Sequence, residues 1–171
     1  MNSSKELLTR DRKAEHIRLA LEDRMQLASH PFERYRFEHE ALPDLDFASI
    51  DPGVTFLGKR LRSPILVSCM TGGTELAARI NEHLAAAAES RGVALGIGSQ
   101  RKALEDASQA PTFQVRGVAP TIPLLANLGA VQLNYGYDVS HCRAAVEMIE
   151  ADALVLHVNA LQEALQPEGQ R

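Results

Sequence analysis

The sequence has 171 residues, a net charge of −4 and no tryptophan, which argues against a general nucleic-acid binder and against base-stacking platforms. Mean hydropathy is slightly negative at −0.16, and no run approaches the roughly 18 consecutive apolar residues of a membrane helix. The opening MNSSKELLTRDRKAEH lacks an apolar signal block, and two cysteines without paired spacing fit a reducing cytoplasm. The expectation is a cytoplasmic, globular protein.

Along the chain, residues 1–53 read as a helical and connecting segment. EHIRLALEDRMQLA (15–28) sets Ile17, Leu21 and Leu27 near one face with charge opposite, the pattern of an amphipathic helix that His30 and Pro31 end. A polar connector follows, punctuated by Pro43, Pro52 and Gly53. VTFLGKRLRSP (54–64) predicts a short hairpin turning near Gly58.

From there to residue 171 the text becomes rhythmic. Apolar runs begin at Ile65, Val93, Pro123 and Ala153, about every 30 residues, the length of one strand-plus-helix unit. Helical patterns lie between them over 75–92, 110–119 and 138–151, with Asp138 as the N-cap of the last. Strands that are apolar throughout predict a parallel sheet covered on both faces. Neither MTGGTE nor GIGSQR has the G-x-G-x-x-G spacing of a doubly wound dinucleotide fold. The predicted fold is therefore a (β/α)8 barrel, with 54–171 supplying about the first four units. Such a barrel needs about 250 residues, so the remaining strands are expected from a longer natural chain or from elsewhere.

Polar residues cluster after each strand, where parallel folds bind ligands. The first strand is followed by SCMTGG (68–73), in which glycines allow close backbone approach and Thr71 offers a hydroxyl. The second is followed by Ser99, Gln100 and Arg101, the last a permanent cation suited to phosphate or carboxylate. Asn127 follows the third, its amide able to donate to and accept from a planar heterocycle. After the fourth, His157 and Asn159 share a face, with Gln162 and Glu163 just beyond. Taken alone, the first motif reads as a strand-to-helix turn, the second as a solvated loop and the third equally as an Asx turn. Four polar groups leaving a buried strand together are harder to dismiss, since burial without partners is costly.

Taken in order and spacing, RKAEH (12–16), SCMTGGT (68–74), GSQRKAL (98–104), ANLGAVQL (126–133) and LHVNALQEALQPEGQR (156–171) closely resemble the type 2 isopentenyl diphosphate isomerases. These are FMN-dependent (β/α)8 barrels, and the similarity covers roughly the first half of a member. The resemblance implies interconversion of isopentenyl and dimethylallyl diphosphate by protonation and deprotonation, with reduced FMN, Mg2+ and NADPH as reductant, in a homo-tetramer or octamer. It assigns Cys69 (through its backbone), Met70, Thr71, Gly72, Ser99, Asn127 and Asn159 to the flavin. Arg12, Lys13, Ser99, Gln100, Arg101, His157 and Gln162 are assigned to the substrate, with Gln162 and His157 at the reacting centre and Glu163 on Mg2+. His16 reads either as an assisting group or as a surface histidine. Cys69 stands where the family more often has Ala or Ser. The family's later flavin contacts, a lysine, a threonine and a glycine-rich phosphate site, have no counterpart here. The alternatives are an FMN barrel of the 2-hydroxy acid oxidase type and an inactive half-barrel that only binds or assembles.

Overall fold

The computed structural model describes residues 17–22 and 31–165, apart from the side chain of Gln162. The chain divides into two compact units, Met1–Asp51 and Pro52–Arg171. In the first unit the described part of the expected 15–28 helix is a helical turn over 17–20, where Leu21 N–H donates to the Ile17 carbonyl at 3.3 Å. The remainder of that helix lies outside the described residues. Pro31–Arg34 and Phe47–Ser49 form single 3-10 turns, the second capped by the Asp46 carboxylate accepting from Ala48 N–H.

The second unit opens with the hairpin. β1 (Val54–Phe56) pairs antiparallel with β2 (Lys59–Leu61), Val54 opposite Leu61. Leu57 and Gly58 make the turn at φ +50° and +75°, the left-handed pair of a type I′ turn, which matches the strands' twist.

Four parallel strands follow in simple sequential order: β3 (Leu66–Val67), β4 (Ala94–Gly96), β5 (Leu124–Gly129) and β6 (Ala153–His157). Between them run α1 (Glu75–Arg91), α2 (Arg101–Glu105) and α3 (Val139–Met148), and α4 (Ala160–Leu165) follows β6. α1 starts where the Thr74 hydroxyl accepts from Ala77 N–H at 3.1 Å and stops at Gly92, whose φ of +64° lets its N–H return to the Ala88 and Glu89 carbonyls. α3 starts in a capping box between Asp138 and His141.

Strand alternation sorts the side chains between two faces. Val93, Leu95, Ile97, Leu124 and Ala126 pack with Ala85 and Ala88 of α1, Ala103 of α2, Phe113, and Ile149 just after α3 in the main core. Ala94 and Leu125 point the other way, against Leu61 of the hairpin, with Ala153 and Val155 alongside. The fold is thus α/β, a parallel sheet in sequential strand order with no reversal and with α1 to α3 packed on one face.

Two expectations need correction. Residues 110–119 are not an α-helix. A 3-10 helix, Ala107–Thr112, carries Pro111 inside it, and turns follow, because proline withholds the N–H that an α-helix needs. Phe113, Val115 and Ala119 still anchor that segment in the core. The second correction concerns burial. β4 is covered on both faces and β5 nearly throughout, but the flanking strands β3 and β6 are not: Leu66 and Leu156 are exposed. Among the described residues each of these two strands has a neighbour on one side only.

Candidate functional site

The residues singled out between Cys69 and Glu163 lie at or just beyond the C-terminal ends of the four parallel strands, and hydrogen bonds tie three of these ends together. The loop after β3 (68–74) is held from behind. The Thr71 carbonyl accepts from Gly98 N–H and from the buried Asn81 amide, both at 3.2 Å. Asn81 reaches the Thr112 carbonyl as well, at 3.4 Å, while the Thr112 hydroxyl accepts from Gly73 N–H at 3.0 Å. Lys102 Nζ donates to the Gly73 carbonyl at 3.4 Å.

The glycines are needed for this packing. A Cβ on Gly72 would lie 2.0 Å from the Phe113 ring, and one on Gly98 would lie 2.4 Å from the Thr71 oxygen. Gly73 turns the chain at φ +76°. With its rear clamped, the loop turns Met70 outward, 72% exposed.

Cys69 and Asn127 meet across the strands. The two side chains are hydrogen-bonded, and burial pushes the Cys69 thiol up, against the opposing pull of Asn127 and its own backbone. A Cβ on Gly96 would come within 2.4 Å of Cys69 Sγ, so the small residue makes room for the thiol. Asn127 is 4% exposed, which is costly for a carboxamide without polar partners.

The loop after β4 holds a surprise at Gln100. Its side chain is wholly buried, with Oε1 accepting from Asn127 N–H at 3.0 Å and Nε2 donating to the Ala145 carbonyl at 2.7 Å. The sequence reading expects this amide to meet the substrate; here it is engaged behind the sheet's edge, and the sequence shows only that a polar residue follows the strand, not which way it turns. Ser99 beside it is half-buried. Arg101 is partly exposed and pairs with Glu105 at 3.6 Å, whose carboxylate also bonds the Tyr137 hydroxyl.

On β6, His157 registers with Gly129, two residues beyond the Asn127–Val155 pair. In parallel register these share a face, so Asn127 and His157 look out on the same side of the sheet. His157 and Asn159 are exposed, and the Asn159 carbonyl accepts from Glu163 N–H at 3.2 Å in the first turn of α4. Gln162 lies in α4. No group of three or more His, Cys, Asp or Glu forms a metal cluster among the described residues. Arg12 and Lys13 lie outside the described residues.

Sequence reasoning missed Asn81, Lys102, Thr112 and Phe113. One signal was available for Asn81: it stands with Ala77, Ala85 and Ala88 on the buried face of an alanine-rich helix, where a lone amide needs partners.

The arrangement offers a backbone-lined rim, an exposed thioether, and a carboxamide that can both donate and accept. Comparison with known proteins gives this rim a family. The family model of FMN-dependent dehydrogenases matches residues 13–132. The chain belongs to that family. Among curated relatives it is 51% identical over 163 residues to the isopentenyl-diphosphate delta-isomerase of Nostoc sp., covering 94% of this chain and 47% of that protein. It is 53% identical over 165 residues to the protein of the same name from Synechocystis sp. (95% and 47%), and 49% identical over 174 residues to that of Paracoccus zeaxanthinifaciens (100% and 50%). The chain spans about half the length of the curated relatives it matches. The residues present fit the flavin of an FMN-dependent family: the Asn127 amide suits a heterocycle edge carrying both donors and acceptors, and the Met70–Thr71 segment is held from behind by Gly98 and Asn81 with Met70 exposed. No helix among the described residues is long and apolar enough to cross a membrane.

Proposed function

We propose that these residues form the first four βα units of a (β/α)8 barrel acting as a type 2 isopentenyl-diphosphate isomerase, with isopentenyl and dimethylallyl diphosphate as substrates. The gathering of Cys69, Thr71, Ser99 and Asn127 at one strand end carries the reading, supported by about half-identity to three proteins named for that activity. In this proposal Met70, Thr71, Gly72, Ser99, Asn127 and Asn159, with the Cys69 backbone, hold FMN. Arg12, Lys13, Ser99, Arg101 and His157 bind the substrate, whose diphosphate needs several fixed cations. Glu163 binds Mg2+, a hard ion content with one carboxylate, waters and phosphate oxygens. Gln162 sits beside the reacting alkene.

The chemistry supplied by bound reduced FMN is proton exchange and electrostatic support at an unactivated alkene, for which ordinary side-chain acids are too weak. The chain's own residues fix the ring and the diphosphate relative to each other. NADPH as reductant, a homo-tetrameric or octameric assembly and a cytoplasmic setting complete the proposal.

The test is an assay of the full-length protein with reduced FMN, Mg2+ and isopentenyl diphosphate. Dimethylallyl diphosphate should accumulate with no stoichiometric electron acceptor consumed. Sustained oxidation of a 2-hydroxy acid in its place would favour an oxidase of the same barrel family. Flavin binding with neither reaction would leave a module that only binds or assembles.

A further inference from the structure

We infer that Gln100 is a positioning residue that sets Asn127 toward the flavin and makes no contact with the substrate; the inference rests on the FMN site proposed above. The geometry carries it. Gln100 grips Asn127 at two points, its N–H donating to the Asn127 carbonyl at 2.9 Å and its Oε1 accepting from the Asn127 N–H at 3.0 Å. Both backbone polar groups of Asn127 are thereby held by one residue. Strand β5 continues to Gly129 while β4 has already ended at Gly96, so past that point the Gln100 side chain stands in for backbone that β4 no longer offers.

The other end of the same amide donates to the Ala145 carbonyl at 2.7 Å, with Met148 Sδ at 3.8 Å. Gln100 therefore joins the end of β4, the middle of β5 and the helix α3 through one planar group. Burial makes the arrangement specific. A wholly buried amide cannot turn outward without abandoning both partners, and each buried polar group left unpaired is costly. The Asn127 side chain, projecting from the backbone so held, meets Cys69 at the rim. The direction of the Asn127 carboxamide is thus set by a neighbour buried behind the rim.

The experiment uses the full-length protein and reads FMN affinity by fluorescence titration, with the visible flavin spectrum as a second readout. Gln100→Met keeps the volume and removes both hydrogen bonds. The expected result is FMN affinity weaker by roughly tenfold to a hundredfold, the range set by a buried unpaired donor or acceptor, together with a shifted flavin band. The KM for isopentenyl diphosphate at saturating FMN should stay close to wild type. In an Asn127→Ala background the same substitution should cost little further FMN affinity, because its effect passes through Asn127.

Unchanged FMN affinity with a raised KM makes Gln100 a substrate contact and overturns the inference, as does full additivity of the two substitutions. Wild-type protein that binds no FMN refutes the site reading itself, a distinct result. Should Gln100→Met fail to fold, hydrogen–deuterium exchange on the wild-type protein decides. The Asn127 amide is expected to exchange slowly, with no change on saturation with inorganic pyrophosphate. Protection that arises only with pyrophosphate would overturn the inference.

Discussion

At the N-terminal end of the parallel sheet, charged side chains bind one another and backbone in a dense network; at the C-terminal end Arg101 pairs with Glu105 and Lys102 with the Gly73 carbonyl, while Met70 and His157 stand exposed. Asp152 is the hub of the first arrangement. Its carboxylate accepts from Lys59 Nζ at 2.8 and 2.9 Å, from Arg116 Nη2 at 2.9 Å and from Leu124 N–H at 2.8 Å. Arg116 goes on to the carbonyls of Ala119, Ile122 and Glu150. Glu89 receives the Thr121 and Ile122 N–H groups and the Thr121 hydroxyl. The hairpin seats Leu61 against Ala94 and Leu125 at the same end. The opposite end has Met70 and His157 exposed, and its polar contacts run mostly behind the rim. One end of the sheet closes the structure; the other presents it, which is the usual division of labour in parallel barrels.

The largest expected effect comes from breaking the closed end. Asp152→Ala strands two cations and a backbone N–H, and should cost about 2–3 kcal/mol of stability, lowering Tm by roughly 5–10 °C. FMN affinity measured well below that Tm should be nearly unchanged. An equal loss of flavin affinity would show that the two ends are not separable. The pH dependence follows from the same contacts. Burial lifts the Asp152 carboxyl, but Lys59, the Leu124 N–H and Arg116 outweigh it, so the folded pKa lies below the ordinary 3.8. A lowered folded pKa means that the contribution is fully present above the unfolded value and is lost as pH falls through the folded one. Thermal melts of wild type and Asp152→Asn should therefore differ most near neutral pH and draw together in acid.

The next effect belongs to the open end. Gly72→Ala drives a methyl group into the Phe113 ring, and should cost about 2 kcal/mol. Here flavin affinity should fall with stability, because the loop that moves is the loop bearing Met70 and Thr71. Retained affinity in this variant would remove that loop from the flavin site.

How much of this contrast could be read beforehand differs between the ends. The strand starts, the hairpin turn at Gly58 and the placement of Met70 and Ser99 after successive strands follow from local pattern: an apolar run, a left-handed glycine, a polar residue where the run stops. Asn127, expected after its strand, stands inside β5, and His157 is the last residue of β6. The closed end could not be read that way. Lys59 and Asp152 are 93 positions apart, and nothing in either neighbourhood marks them as partners. Gln100 shows the limit within the site itself. Its position after β4 was visible, but its direction depends on Ala145 and Asn127, which only the packed sheet brings near. Residues 110–119 failed for a third reason: apolar spacing there resembles a helix, yet Pro111 removes a donor and the buried residues anchor a turn instead.

The smallest expected effect tests whether the open end depends on where α1 begins. Thr74 caps that helix, and losing its hydroxyl should cost about 1 kcal/mol, a Tm change of roughly 3 °C. Its neighbour Gly73 is held by Thr112 and Lys102, so the loop has fixings that do not pass through the cap. Thr74→Ala should therefore lower Tm and leave FMN affinity within about twofold of wild type, since well-separated contacts act additively. Thr74→Ser, which keeps the acceptor oxygen, should restore the melting temperature. A large drop in flavin affinity on Thr74→Ala, recovered in Thr74→Ser, would instead make the helix start itself the element that aims Met70 and Thr71, and would shift the support of the rim from Asn81, Thr112 and Lys102 to the cap.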